Sequence, residues 1–105
     1  MNLESLYKYL VAELGAEYSV DQPESAHLRI TKEVRSSVEM SLYVWDITLR
    51  DHTGMFHVEH RGDISRIELG FYRSRRVTDE FETADDEDAG ERILEFISRS
   101  SVRGG

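Results

Sequence analysis

The run SLYVWDITLR, residues 41–50, together with the turn and return strand after it, limits the fold more tightly than any other part of the chain. From Val38 to Arg50 the sequence is rich in β-branched and aromatic residues, as a pleated, half-buried surface favours. It also alternates. Tyr43, Trp45, Ile47 and Leu49 share one face; Asp46, Thr48 and Arg50 share the other, with Leu42 and Val44 near the start. Asp51-His52-Thr53-Gly54 then reads as a hairpin turn and Met55 to Arg61 as a return strand. If Asp51 lies opposite Gly54, Leu49 faces Phe56, Ile47 faces Val58 and Trp45 faces His60. A slip of one residue would turn every apolar side chain to the wrong face, so this register is the one physics favours.

The remaining elements are placed around that hairpin. Leu3, Leu6, Tyr7, Leu10 and Leu14 draw one apolar stripe and predict a helix over residues 2–15, with Asn2 as N-cap and Gly15 as stop. Residues 16–26 hold the only proline, Pro23, and read as a loop, with Tyr18 and Val20 against the core. Residues 27–34 alternate as a strand: Leu28, Ile30 and Val34 on one face, His27, Arg29 and Thr31 on the other. Arg35-Ser36-Ser37 and Gly62-Asp63 read as turns, and the tripeptide Arg61-Gly62-Asp63 is explained by the second of them. Arg66 to Tyr72 reads as a strand with Ile67, Leu69 and Phe71 inward. Val77 to Thr83 reads as another, with Phe81 inward and Glu80 and Glu82 outward. A second helix is expected over residues 85–100, burying Ala89, Ile93, Phe96 and Ile97.

The order helix, strands, helix defines the expected fold class: α+β, a mostly antiparallel sheet of four or five strands with an N-terminal and a C-terminal helix packed on one face. Residues 1–100 are expected to form a single domain and 101–105 a flexible tail. A chain of 105 residues has room for one core.

Charge is the second constraint. Eight of the thirteen residues from Asp79 to Glu91 are Asp or Glu, and none is Lys or Arg. The other 13 acids match the 13 bases, so the net charge of −8 resides in this one segment. Part of it serves the second helix. Asp85, Asp86, Glu87 and Asp88 fall in its first turn, where negative charge meets the positive end of the helix dipole, and Asp85 or Thr83 can cap free N–H groups. Arg99 and Arg103 suit the other end. Three or four acids would suffice for that, and the excess repels itself within the 8–10 Å over which salt leaves charge unscreened (roughly, at ordinary ionic strength). An acidic surface of this kind speeds encounter with a cationic partner and selects it.

Most chemistries fail on spacing. With no cysteine there is no disulfide, no thiolate metal site and no thiol nucleophile, which fits a reducing cytoplasm. No Gly-x-Ser-x-Gly turn, His-Glu-x-x-His pair or phosphate-cradling glycine loop occurs. A calcium loop starting at Asp85 would need Glu at its twelfth place and finds Phe96. His57 and His60, three apart on a strand, point to opposite faces, and His60 falls on the core side. A metal reading is left to Asp46, His57 and Glu59, which share a face, with Asp46 opposite Glu59. Like charges so placed need an answering cation, and Arg61, diagonal to Asp46, is the expected one. Arg73, Arg75 and Arg76 are expected to pair locally with the acids at 79–82 across a turn. Net acidity argues against nucleic acid, which needs a basic face. No apolar run approaches the ~20 residues that cross a membrane. The terminal Arg103-Gly104-Gly105 matches the end of ubiquitin-like modifiers, but those open with a hairpin and this chain with a helix.

The expected function is therefore a non-catalytic protein-binding module, with no cofactor and no metal. It would act as an immunity or inhibitor protein that occludes a basic protein partner. Its expected contacts are Glu80, Glu82, Glu87, Asp88, Glu91 and Tyr72. The alternatives are a small metal-dependent enzyme using Asp46, His57 and Glu59, an effector chaperone, and a structural homodimer paired through the edge of the 38–50 strand.

Overall fold

The computed structural model describes residues 3–35, 39–50, 54–66 and 71–101. The elements run α1 (Leu3–Leu14), β1 (Ser19–Glu24), β2 (His27–Arg35), β3 (Glu39–Leu49), β4 (Met55–Arg66), β5 (Phe71–Glu82) and α2 (Asp86–Ser101). The strands form one antiparallel meander in the order β1-β2-β3-β4-β5. Both helices cover the same face, which is the expected α+β arrangement with five strands.

The hairpin register holds throughout: Leu49 lies opposite Phe56, Ile47 opposite Val58, Asp46 opposite Glu59 and Trp45 opposite His60. The apolar faces match as a result. Leu28, Ile30, Trp45, Ile47, Phe56 and Val58 from the sheet meet Leu3, Leu6 and Leu10 from α1 and Ala89, Ile93, Phe96 and Ile97 from α2 in one buried cluster. Tyr18 and Val20 pack against it as expected. Trp45 sits at its centre, 1% exposed. Its ring stacks on His60 at 4.7 Å, and its indole N–H donates to Ser100 Oγ at 2.8 Å. His60, on the core side as expected, is buried, with Nδ1 3.1 Å from the Val44 carbonyl oxygen. Gly15, at φ 78°, ends α1 in the left-handed conformation that stops helices.

Five readings are corrected. Residues 19–24 are a strand, not a loop. β1 is an edge strand with a register shift between Asp21 and Glu24, the kind of place a sheet tolerates Pro23. Arg35 belongs to β2, not to a turn. Gly62 and Asp63 lie inside β4, so Arg61-Gly62-Asp63 is strand and not turn. Gly62 marks a close approach instead: a Cβ there would stand 3.3 Å from the Tyr43 ring. Arg66 and Phe71 face each other as the end of β4 and the start of β5, so no strand runs from 66 to 72. Ser101 belongs to α2 and not to the tail. Asn2, Val38, His52, Ile67, Leu69 and residues 102–105 lie outside the described residues. The homodimer through the 38–50 strand also falls away, because β3 is the central strand with β2 and β4 on its two sides.

The exposed apolar residues on the sheet, Val34, Met40 and Leu42, gather where β2 and β3 run toward their connection. Val34 is on the core side of the sheet but 48% exposed. A strand of twelve residues spans about 40 Å and a helix of sixteen about 24 Å, so the strands outrun the helices that cover them.

Candidate functional site

The acidic segment follows the path from the end of β5 through residues 83–85 into α2. Some of its carboxylates are answered within the chain. Asp79 accepts from the Glu80 N–H at 2.8 Å and from Arg99 at 3.0 Å. These two contacts, the backbone one foremost, hold its pKa below the ordinary value. Asp88 pairs with Arg92 one turn on at 3.0 Å. Asp85 is the N-cap: its side chain accepts from the Glu87 N–H at 3.2 Å, and its own N–H donates to Thr83 Oγ1. Glu80 lies 3.2 Å from His57 Nδ1 across the strand pair. Glu82, Asp86, Glu87 and Glu91 are exposed, and no cationic side chain among the described residues pairs with them.

Packing adds residues that sequence spacing did not bring in. Gly90 lies against the Tyr9 ring so closely that a Cβ there would overlap it. That contact draws α1 onto the first turns of α2. Burial, then the charges of Glu13, Glu91 and Glu87, raise the Tyr9 phenol above its ordinary pKa. The acidic corner thus takes in Glu13 from the other helix, with a half-buried tyrosine among the carboxylates. Glu87, Glu91 and Glu95 recur at four-residue spacing along α2, where like charges repel. Two signals pointed here: a glycine inside an amphipathic helix, and a tyrosine off the apolar stripe of α1.

The open face of the sheet carries Asp46, His57 and Glu59, and the structure gives each a different partner. Arg29 Nε donates to Asp46 Oδ1 at 2.9 Å, and His27 Nε2 lies 2.7 Å from the same oxygen. Arg76 Nε reaches Glu59 at 2.8 Å. The role expected of Arg61 is thus filled by Arg29 and Arg76. Each flanking strand brings an arginine into reach of one of the two carboxylates, an arrangement the register of one hairpin cannot reveal. Among the described residues no group of three or more His, Asp or Glu converges as metal ligands do.

Asp46 is partly buried, which raises its pKa, but hydrogen bonds from Arg29 and His27 together with their charges outweigh burial and hold it below the ordinary value. With the folded pKa lowered, the contribution is present above the unfolded value of about 3.9 and is lost as pH falls through the folded one. Asp46→Asn is expected to lower stability by about 1 kcal/mol near neutrality. Urea unfolding of both chains should converge as pH falls through the lowered folded pKa of Asp46, and a gap unchanged by pH would contradict the assignment.

Arg76 and the acids at 79–82 lie on one continuous strand, so no turn brings them together; Arg76 pairs with Glu59 instead. Arg73 and Arg75 occupy β5 opposite Ile64 and Gly62, and Tyr72 lies opposite Ser65. The side chains of Tyr72, Arg73 and Arg75 are outside the described part. Among the described residues no helix is long and apolar enough to cross a membrane. Comparison with protein-family models, with curated proteins and with solved structures finds no match.

Proposed function

We propose that the chain is a non-catalytic protein-binding module. Its acidic surface engages a basic protein: Glu87 and Glu91 of α2 with Glu13 and Tyr9 of α1 beside them, and the exposed Glu82 and Asp86 on the approach to α2. Immunity or inhibition by occlusion of that protein, in the cytoplasm, is the form we name first. One observation carries the reading: in a segment where Asp79 and Asp88 are each matched by an arginine, these neighbours are exposed with no cation of their own among the described residues. Unmatched surface charge steers an oppositely charged partner and raises its on-rate. Tyr9, set among the carboxylates, offers a ring on which a lysine or arginine can lie.

The test is the triple variant Glu82→Gln, Glu87→Gln and Glu91→Gln. The wild-type chain, immobilised at low salt, should retain a basic protein from an extract of the cells that make it. The variant should bind that protein at least about tenfold more slowly, and the difference should shrink as salt rises. Equal association rates for the two chains would remove the acidic corner from the interface.

A further inference from the structure

The two edges of the sheet are treated differently. β1 is short, carries Pro23 and breaks register between Asp21 and Glu24. These are devices by which proteins stop an edge from pairing. β5 has none of them. It runs for twelve residues with unbroken register against β4, contains no proline, and ends the strand order. Its outward N–H and C=O groups form a template for another strand.

We propose that this strand is a second copy of β5, paired antiparallel about a two-fold axis through Thr78. The distribution of charge in β5 selects the occupant. Arg73, Arg75 and Arg76 precede Val77; Asp79, Glu80 and Glu82 come after it. In a parallel pairing in register, like charges would face each other. In an antiparallel pairing the basic half of each copy meets the acidic half of the other. A two-fold axis perpendicular to the sheet lays core face beside core face, so opposed residues must share a face. About Thr78 this places Arg76 opposite Glu80 of the second copy, twice, on the open face of the sheet. In the single chain Arg76 pairs with Glu59 and Glu80 with His57, yet both side chains stay open to a second partner, 65% and 53% exposed. The paired segment is 74–82, and the product is a ten-stranded sheet with all four helices on one side. Such an interface is isologous and closed, so it stops at two copies.

The experiment is sedimentation or light scattering at tens of micromolar and low salt. The wild-type chain should have about twice the 12.2 kDa mass of one copy. Arg76→Glu and Glu80→Arg should each weaken the dimer by at least about tenfold, because both interchain contacts become like-charged. Mixed in equal amounts, the two variants should recover the doubled mass, since every contact between them is again attractive. Thr78→Lys serves as a second probe. Thr78 is exposed and lies opposite Glu59 within the chain, so a lysine there leaves the fold intact but faces its own copy on the axis. A wild-type monomer at every concentration, as expected if the edge serves another protein's strand, overturns the proposal. So does a dimer that survives Thr78→Lys unchanged. The measurement needs no partner protein, so it is decided separately from the proposed function.

Discussion

Gly54→Ala is expected to destabilise the fold by about 3 kcal/mol or more. Two independent causes add. Gly54 has φ 86°, a conformation that costs an L-residue roughly 1–2 kcal/mol. A Cβ there would also overlap the backbone carbonyl oxygen of Thr83, which cannot swing aside as a side chain can. The overlap falls where β5 gives way to the turn before α2. There the Thr83 N–H donates to the Gly54 carbonyl at 3.0 Å, so pushing the chains apart loses that bond as well. Gly15→Ala is the control. Gly15 has φ 78° with open space around its Cα, so only the conformational cost remains, about 1–2 kcal/mol. Urea unfolding tracked by the fluorescence of the single tryptophan measures both variants. Equal losses at the two glycines would show that the contact with Thr83 is not tight.

Trp45→Ala should destabilise by about 3–5 kcal/mol, the range for deleting a large aromatic from a packed core. The ring is shared by several parts of the fold. It stacks on His60, tilts against Tyr18 at 5.8 Å and lies 6.3 Å from Tyr43. Its N–H ties the end of α2 to the sheet through Ser100, whose hydroxyl in turn donates to the Phe96 carbonyl. A small domain has only roughly 5–15 kcal/mol in total, so the melting temperature should fall by well over ten degrees. Trp45→Phe keeps most of the stack and loses the hydrogen bond, so its loss should be about 1–2 kcal/mol. Circular dichroism melts distinguish the two. A Trp45→Ala chain that melts within a few degrees of wild type would show the core to be centred elsewhere.

Legible in the sequence was whatever local pattern determines. Leu49, Ile47 and Trp45 find Phe56, Val58 and His60 because a hairpin register has few solutions when one face must be buried. The helix stop at Gly15 and the cap at Asp85 were legible for the same reason, since each satisfies a local backbone need. Misreadings came where one residue type serves two physical ends. Pro23 breaks helices and inner strands but suits an irregular edge. Gly62 looks like a turn residue and instead admits the Tyr43 ring. Pairings that depend on strands distant in sequence were out of reach, such as Arg29 with Asp46 and Arg76 with Glu59. So was the convergence of Glu13 on Glu87 and Glu91, because it depends on how two helices lie against each other. Half of the candidate surface was visible as a run of acids. The other half exists only because Gly90 lets Tyr9 approach.

If the acidic corner is a binding surface, its carboxylates must exceed what the fold uses. Glu91 tests this directly. It lies beyond the first turn of α2, so the helix dipole gains little from it, and it stands four residues from both Glu87 and Glu95. Glu91→Lys turns two repulsions into two attractions and should stabilise the chain by roughly 0.5–1 kcal/mol at low salt, raising the melting temperature by a few degrees. A melt that shows Glu91→Lys less stable than wild type would mean the acid serves the fold, and the surplus on which the binding surface rests would not exist.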